Sequence, residues 1–591
     1  RDNQLARIHG VWGIGQLART NKALYPILTN LLKDKDAEII AQSAKMLGDA
    51  KIISAGKDLL PLLQNENPRV KFYGAETLGK IAFKDAVQPL IEMLKINNDE
   101  DVYLRHAGVL ALSKIGQIEP IIALQKNPSK ALRTAAVLVL RKLQNPKIAL
   151  FLNDEDEYIV TEAARGINDD TSIEAALPAL AATLKETRFT SEPLLRRAIN
   201  AALRVGGDKA FDLLIAFASR NDIKDNIKAE ALLGLGSWVN PSLMDRVDGR
   251  YRGKIQRDAL AIKAKVEPNI ANFLKEKNPE TQVAVTGLIS DLNLTNASGD
   301  LAKIYDETDN SKVKSTILPA LNSLKYPYIE NYIKKGLEDT EESVRSISVS
   351  LLNDNNVTKE NLPLLASTIF AKGGIKEQQQ LLMVLGKMKT DKTKVIYSDL
   401  IEKLKNKQLS PSLYLELNEA IEKSGLIDLK SQITNLKPSD GISEEFAGSL
   451  FGGNKEEGKN IFNYNSIAQC VRCHTAGNAS DGGAVGPSLK HISSVLTREQ
   501  ILEALVNPSA RLAPGYGSVS LKLTDGQEVF GTLVKETITE LTLTTSDAEP
   551  LVIPVARIAK RENMPSSMPP MGSLLSKREI RNVVEYLSNL K

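Results

Sequence analysis

Amphipathic helices follow one another along most of this chain, separated by short polar breaks. Apolar residues recur at intervals of three and four positions, as in Ala107, Leu110, Ala111 and Ile115. This spacing places them on one face of a helix, whereas a strand would alternate every second residue. The pattern continues to about residue 440 and predicts a mainly α fold for that region.

A short phrase recurs within the helical region: a polar or acidic pair, then an aliphatic residue, often with a basic residue beside it. Its occurrences are Asp36–Ile39, Asn67–Val70, Asp99–Val102, Ser129–Leu132, Asp156–Ile159, Glu192–Leu195, Asp225–Ile227, Pro279–Val283, Ser311–Val313 and Glu341–Val344. A period of about 30 residues with two amphipathic helices per unit predicts an α-solenoid. One interval, the 56 residues from Ile227 to Val283, is interpreted as two periods that hide an irregular repeat.

Two of these phrases resemble HEAT repeats closely: Asn67 to Lys71 read Asn-Pro-Arg-Val-Lys, and Glu342 to Arg345 read Glu-Ser-Val-Arg. In that family the acidic and Val-Arg positions lie at the turn into the second helix of each pair. The period is shorter than is usual there, so the resemblance implies compact units of the PBS-lyase type. Residues 1–440 are therefore predicted to form a HEAT-like solenoid.

Residues of about 238–256 interrupt the helical pattern with Pro241, Gly249 and clustered charge, which predicts an inserted loop. Such a loop is either functional or a packing adaptor for an irregular repeat. His9 and His106 lie in apolar helical phrases and are interpreted as packing or groove-lining residues. Glycine becomes frequent after Asp440-Gly441, so we place a domain boundary there and a second domain at 441–591.

The only two cysteines, Cys470 and Cys473, stand in a Cys-x-x-Cys-His motif that ends at His474. This motif attaches haem c, because the two thiols form thioethers with the vinyl groups and the histidine ligates the iron. Zinc would need further soft ligands, and the sequence has no other cysteine. A redox dithiol would need a βαβ context, which is missing. The motif therefore predicts one covalently bound haem c.

The flanks of the motif resemble class I cytochromes c. Gly458 and Phe462 precede it, Tyr586 lies near the end of the chain, and Gly486-Pro487-Ser488-Leu489 follows it. The resemblance implies that Gly458 lets an N-terminal helix cross a C-terminal one. It also implies that the Pro487 carbonyl orients the proximal His474, and that the distal ligand is a methionine followed by proline.

Met568, within Ser567-Met568-Pro569, fits that distal position best among the methionines that follow the motif. Met564 and Met571 are the weaker choices, and His491 is the alternative imidazole. A His474/Met568 pair would raise the reduction potential, because a neutral thioether favours ferrous iron.

The chain between His474 and Met568 is longer than a class I domain needs. Alternating apolar residues such as Val519, Leu521 and Leu523 predict an antiparallel β insertion at about 516–562. With this insertion, residues 450–591 resemble the haem-binding domain of Planctomycetes, Verrucomicrobia and Bacteroidetes. In that family the domain often follows HEAT-like repeats, which in turn often follow a propeller that resembles sugar dehydrogenases.

The net charge and the distribution of apolar residues exclude some classes of partner. The net charge is only +4 over 591 residues, which gives no case for nucleic-acid binding. No apolar run reaches the roughly 18 residues of a transmembrane segment. Because haem c is attached outside the cytoplasm, we expect a periplasmic or otherwise extracytoplasmic protein, anchored if at all through a missing N-terminus or a partner. Since the sequence opens at Arg1, we also expect a removed signal or a longer chain.

The leading functional prediction is electron transfer through one haem, with the solenoid docking the cytochrome to a redox partner or envelope complex. The redox partner would be a dehydrogenase donor, a downstream cytochrome or an oxidase. One alternative is the electron-acceptor part of a sugar or alcohol dehydrogenase whose catalytic propeller is missing. A third reading makes the chain mainly a scaffold subunit of an envelope assembly. No catalytic residue is predicted for this chain alone.

Overall fold

The chain forms two compact units, Arg1–Tyr326 and Pro327–Lys591. The structure is a computed structural model that describes residues 3–436, 444–477, 483, 485–546 and 549–591. Most described residues are helical, and a small antiparallel sheet lies near the C-terminus, as the sequence pattern predicts. No described helix is both long enough and apolar enough to cross a membrane.

The first unit consists of paired helices. Its α-helices are α1 (Gln4–Ala18), α2 (Tyr25–Leu31), α3 (Ala37–Asp49), α4 (Gly56–Leu59), α5 (Pro68–Lys80), α6 (Val87–Asn97), α7 (Val102–Ile115), α8 (Glu119–Ile122), α9 (Lys130–Lys142), α10 (Glu157–Asn168), α11 (Leu177–Ala182), α12 (Glu192–Val205), α13 (Gly207–Ala218), α14 (Asp225–Gly236), α15 (Ala259–Phe273), α16 (Pro279–Asp291), α17 (Ser298–Glu307) and α18 (Ser311–Ser323). The second helices α3, α5, α7, α9, α10, α12, α14, α16 and α18 form one layer in which successive members contact each other.

The recurring phrase marks the start of each second helix. Asp36, Asn67 and Asp156 are the N-cap residues of α3, α5 and α10, and each side chain accepts a hydrogen bond from a first-turn N–H. The aliphatic residue of the phrase is buried in most repeats, as with Ile39 and Val70, although Val102 of α7 is 51% exposed and Leu104 is buried in its place. The phrase is thus a cap plus a buried anchor, and the predicted repeating helix pairs are confirmed.

The long interval between Ile227 and Val283 does not hide an extra repeat, so that interpretation is wrong. Helices α14 and α16 pack directly against each other, and residues 237–278, which include the single helix α15, separate them in sequence. The interval is long because the connection from α14 to α15 carries the inserted loop. In the sequence, an inserted loop lengthens the interval between two repeats just as a degenerate repeat would, so interval length alone cannot distinguish them.

Buried polar contacts bind the inserted loop to the repeats. The carboxylate of Asp245 accepts hydrogen bonds from Arg252 Nε and Asn200 Nδ2, each at 3.0 Å. Arg252 also donates to the carbonyls of Asn168 at 2.9 Å and Asp170 at 2.7 Å. Burial opposes ionisation of Asp245, but these and neighbouring backbone hydrogen bonds hold its pKa below the usual value. The contacts favour the packing-adaptor interpretation of the loop.

The second unit combines further paired helices with a different C-terminal part. Its α-helices are α19 (Ile329–Leu337), α20 (Glu342–Ser350), α21 (Leu362–Lys372), α22 (Ile375–Leu385), α23 (Thr390–Lys405), α24 (Tyr414–Ser424), α25 (Ile427–Thr434), α26 (Lys455–Tyr464), α27 (Ile492–Val495), α28 (Arg498–Val506) and α29 (Lys577–Leu587). Helices α19–α25 continue the repeat pattern. The predicted boundary at 440/441 lies outside the described residues.

Residues 444–591, called here the C-terminal module, contain a five-stranded antiparallel sheet in the order β4-β3-β2-β1-β5. The strands are β1 (Ser518–Leu523), β2 (Glu528–Glu536), β3 (Glu540–Thr544), β4 (Leu551–Pro554) and β5 (Ile558–Asn563). Val519, Leu521 and Leu523 of β1 point into a small core of their own, as their alternation predicts. The predicted β insertion is confirmed, with β5 as an edge strand that the sequence pattern did not reveal.

A 3₁₀ helix, Glu444–Ser449, joins the C-terminal module to the last repeats of the same unit. Ala447 belongs to the hydrophobic core of the repeats, whereas Phe446 and Leu450 belong to the core of the module. Adjacent residues therefore enter two different cores. The module therefore packs directly on the repeats of the same unit.

Candidate haem site

A cavity of about 850 Å³ lies inside the C-terminal module. Its lining is mainly apolar and includes residues of α28 and α29, the segment after the Cys-x-x-Cys-His motif and the loop before α29. The residues that bear on chemistry are Cys470, Cys473, His474, His491, Met568 and Met571. Sites for cofactor-sized ligands span roughly 300–1,000 Å³ with a few placed polar groups. Size and lining both suit a large planar apolar cofactor.

The two cysteines lie one turn apart. Residues Cys470–Arg472 form a 3₁₀ turn, and the N–H groups of Cys473 and His474 both donate to the Cys470 carbonyl, at 3.1 and 3.0 Å. Gln469 begins the turn in the left-handed region, with φ of 45°. Cys470 is half-buried and Cys473 is exposed, and both line the cavity. The turn therefore presents two thiols and one imidazole to the same space.

His474 is held by one ring nitrogen. Its Nδ1 lies 2.8 Å from the carbonyl oxygen of Pro487, the contact that the resemblance to class I cytochromes implies. Because a carbonyl only accepts hydrogen bonds, Nδ1 carries the proton and Nε2 keeps a free lone pair. A Cβ on Gly486 would lie 2.6 Å from His474 Cε1. Glycine at position 486 therefore leaves the space that the imidazole occupies.

Three backbone hydrogen bonds pin the segment that follows the motif. Gly483 N–H donates to the Val471 carbonyl and Gly486 N–H to the Cys473 carbonyl, each at 2.8 Å, and Leu489 N–H donates to Thr475 at 2.7 Å. Of the predicted stretch 482–487, residues 482 and 484 lie outside the described residues. The described part fixes the wall of the cavity on the His474 side.

The methionines differ in position. Met568 and Met571 line the cavity, whereas Met564 is absent from the lining and is 38% exposed. Met571 is 3% exposed and packed in the core of the module, while Met568 is half-buried at its edge. Met568 therefore has the freer thioether, and Met564 is displaced from the site. His491 also lines the cavity.

Two helices of the module cross in close contact, as the resemblance implies. A Cβ on Gly458 of α26 would lie 1.9 Å from the carbonyl oxygen of Asn582 on α29, so only glycine fits there. Beside this crossing, the rings of Phe462 and Tyr586 lie 5.6 Å apart between centroids. The crossing sets the depth of the cavity, because Phe462, Val583 and Leu587 from the two helices line it.

The β insertion contributes part of the cavity wall. Tyr516, just before β1, and Glu536, the last residue of β2, both line the cavity, and Arg511 does so from the segment before the sheet. None of these three residues is among the site residues that the sequence predicts. Arg511 and Tyr516 lie in loops and Glu536 at the end of a strand, and only the fold brings them to the same cavity.

The donor set fits haem c better than the other uses of paired cysteines. Among the residues that the structure describes, no group of three His, Cys, Asp or Glu side chains could hold a metal ion. Burial raises the pKa of the Cys470 thiol, whereas reactive redox dithiols have a lowered one. A turn with two thiols, an imidazole oriented by its hydrogen bond and a thioether that lines the same cavity suit attachment and ligation of a haem.

Comparison with known protein families finds HEAT repeats in part of the first unit. Residues 56–141 match the model of HEAT repeats. No curated protein matches the chain. Repeat solenoids of this class typically bind partner proteins along their stacked helices.

Among solved structures, importin beta in an ammonium sulfate condition is similar at 11% identity and a TM-score of 0.38, over 81% of this chain and 76% of that chain. The complex of CpcE and CpcF of phycocyanin lyase from Nostoc sp. PCC7120 is similar at 20% identity and a TM-score of 0.21, over 36% of this chain and 87% of that chain. An engineered protein is similar at 17% identity and a TM-score of 0.28, over 55% and 97% of the respective chains.

Proposed function

We propose that this chain is an extracytoplasmic c-type cytochrome in which HEAT repeats dock an electron-transfer module to a partner protein. The observation that carries the proposal is the single cavity lined by Cys470, Cys473, His474 and Met568. Two thiols on one turn, an oriented imidazole and a thioether are the groups that covalent haem attachment and His/Met ligation need.

Each of these side chains has a separate role. Cys470 and Cys473 provide the thioether bonds, and the turn between them sets their spacing. The Pro487 carbonyl keeps the proton on His474 Nδ1, so that Nε2 is the ligating atom and its basicity is raised. Met568 would provide the second protein ligand to the iron, and the mainly apolar lining would limit the access of water.

A bound haem supplies one-electron transfer between ferrous and ferric iron. A neutral thioether and an apolar surrounding both disfavour the extra positive charge of the ferric state. If His474 and Met568 both ligated the iron, they would leave no position on it for a small-molecule substrate. The chain then carries electrons between partner proteins, either from a dehydrogenase or onward to a second cytochrome or an oxidase.

Co-expression with a cytochrome c maturation system tests the proposal. We expect haem that stays attached through acid–acetone extraction and denaturing electrophoresis, with a pyridine haemochrome spectrum of the two-thioether type. Cys470→Ala is expected to give the one-thioether spectrum or no attachment. As a matched control, Ser488→Ala at the cavity rim should attach haem normally. Failure of the unaltered chain to attach haem under these conditions would overturn the proposal.

A second candidate function makes the HEAT repeats primary and the chain a protein-interaction scaffold. A groove of about 660 Å³ in the first unit favours it, since exposed side chains of α7 and α9 line this groove, among them Val102, His106 and Lys142. Complementation separates the two candidates. A chain with Cys470→Ser and Cys473→Ser that restores function to cells lacking the protein would favour the scaffold, whereas loss of function would favour electron transfer.

A further inference from the structure

The β insertion feeds directly into the loop that carries Met568. Strand β5 ends at Asn563, and the next residue, Met564, donates its N–H to the Ser518 carbonyl of β1 at 3.0 Å. Met568 lies only four positions after Met564 in the sequence. The start of the methionine loop is therefore fixed by the sheet.

Asn563 ties the same point to the segment after α28. Its Nδ2 donates to the carbonyls of Ser509 at 3.1 Å and Ala510 at 3.2 Å. Its Oδ1 accepts a hydrogen bond from Arg561 Nε at 3.0 Å, which fixes the amide orientation. Arg561 is in turn paired at 2.6 Å with Glu536, the β2 residue that lines the cavity. A chain of side chains thus runs from the cavity wall to the loop.

Two hydrogen bonds continue this connection to the methionine itself. Ser566 N–H donates to Ser509 Oγ at 3.0 Å, and Met568 N–H donates to Ser566 Oγ at 3.2 Å. The segment at Ser509 is itself anchored, because it follows α28, whose Ile501 and Leu505 line the cavity. The loop therefore meets the cavity in one register, set by the sheet and by Ser509.

We propose that the β insertion is a positioning device for the Met568 thioether, with Asn563, Ser566 and Ser509 as positioning residues. The inference rests on the proposed function, since it concerns the ligand that Met568 gives to a haem. It goes further by assigning a role to the insertion. Without these hydrogen bonds the loop that carries Met568 would sample many conformations. In most of them the thioether would be out of place, which would weaken its bond to iron.

The test uses the full haem-loaded chain and the variants Ser566→Ala, Asn563→Ala and Asn563→Asp. Asn563→Asp removes both donated hydrogen bonds while keeping the shape of the side chain. Asp525→Ala is the matched control, because it breaks the 2.6 Å pair with Arg557 at the opposite end of β1. All variants should attach haem equally by the pyridine haemochrome assay.

Cyanide binding to the ferric protein measures how firmly Met568 holds its position. Loss of one hydrogen bond should strengthen cyanide binding about fivefold, and loss of two about tenfold or more. The charge-transfer band of thioether-ligated ferric haem should weaken in parallel, and the peptide containing Met564 to Pro570 should exchange its amide hydrogens faster. Asp525→Ala should match the unaltered chain in all three measurements.

Two results would overturn the inference, and they differ from each other. Covalent haem with unchanged cyanide binding and unchanged exchange in Asn563→Asp and Ser566→Ala would remove the positioning role and leave the proposed function intact. Absence of covalent haem from the unaltered chain would remove both.

Discussion

Arg581 of α29 donates from both terminal guanidinium nitrogens to the two carboxylate oxygens of Glu416 on α24, at 2.9 and 2.8 Å. Both residues are buried, with 5% and 1% of their surfaces exposed. Arg578 adds a third contact to Glu416 at 3.0 Å. A bidentate pair in this position fixes the orientation of the C-terminal module against the last repeats as well as their contact.

Replacing Glu416 by alanine should loosen that junction strongly. The change leaves the buried Arg581 guanidinium without its carboxylate, which costs about 3–5 kcal/mol in the free energy of unfolding. Urea denaturation followed by circular dichroism measures it. Glu419→Ala, which removes the more exposed contact to Arg578, should cost about 1 kcal/mol or less. Equal effects of the two substitutions would contradict a structural role for the buried pair.

Gly458→Ala should disrupt the crossing of α26 and α29. The added Cβ would lie 1.9 Å from a backbone oxygen that cannot move alone, so the helices must separate, at a cost of about 1–3 kcal/mol. Thermal unfolding of the haem-loaded chain, followed by haem absorbance, measures the loss. Gly287→Ala is the matched control, because its Cβ would meet nothing closer than 3.8 Å within a helix and should be neutral or slightly stabilising.

If the chain binds haem as proposed, substitution of the methionines one at a time should identify the second protein ligand. Met568→Ala is expected to abolish the thioether band and lower the reduction potential by on the order of 0.1–0.3 V, within the roughly 0.8 V that axial ligands span. Met564→Ala should leave both unchanged, since Met564 is outside the cavity. Loss of the band in Met571→Ala or His491→Ala alone, with Met568→Ala unaltered, would reassign the ligand.

Alkaline pH should destabilise the second unit through Tyr397 in the repeat core. Burial raises the pKa of this phenol to about 12, from 10.0 in its ordinary state. The folded state thus favours the protonated phenol. Below pH 10 the phenol is protonated in both states and the free energy of unfolding is at its full value. As the pH rises from 10 towards 12, the unfolded chain loses the proton first and the folded state is destabilised. By linkage the loss reaches about 1.4 kcal/mol at pH 11.

The Tyr397→Phe variant isolates that contribution. Urea titration at pH 9 and pH 11 gives the loss in the free energy of unfolding between the two pH values. This loss should be smaller in Tyr397→Phe than in the unaltered chain by about 1.4 kcal/mol. Tyr464→Phe, at a position that is 81% exposed, should follow the unaltered chain. Parallel curves for all three proteins would contradict the burial effect.

Local signals in the sequence predicted the parts of the structure that depend on local chemistry. Asp36 and Asn67 mark helix starts because capping needs only a side chain and the next few N–H groups. The turn at Cys470 is equally local. Strand β5 escaped because Ile558 is its only aliphatic residue besides Ala559, and an edge strand is held by its neighbour's backbone more than by burial.

Contacts between distant segments left no such signal. Glu416 and Arg581 each stand in a polar helical pattern that is typical of a solvated face, and only packing shows that both are buried. Tyr516 and Glu536 line the cavity together with residues of α28 and α29, which are distant from them in sequence. These positions depend on the tertiary arrangement, which periodicity along the chain does not encode.

Helix α29 contributes both to the junction with the repeats and to the wall of the cavity. Arg581 faces the repeats, and Val583 and Leu587, within two turns of it, face the cavity. A redox centre in that cavity would keep a constant position and orientation relative to the repeats of its own unit. A partner bound to those repeats would lie at a fixed distance from the redox centre, determined by the fold. Electron tunnelling between them would then require no domain motion.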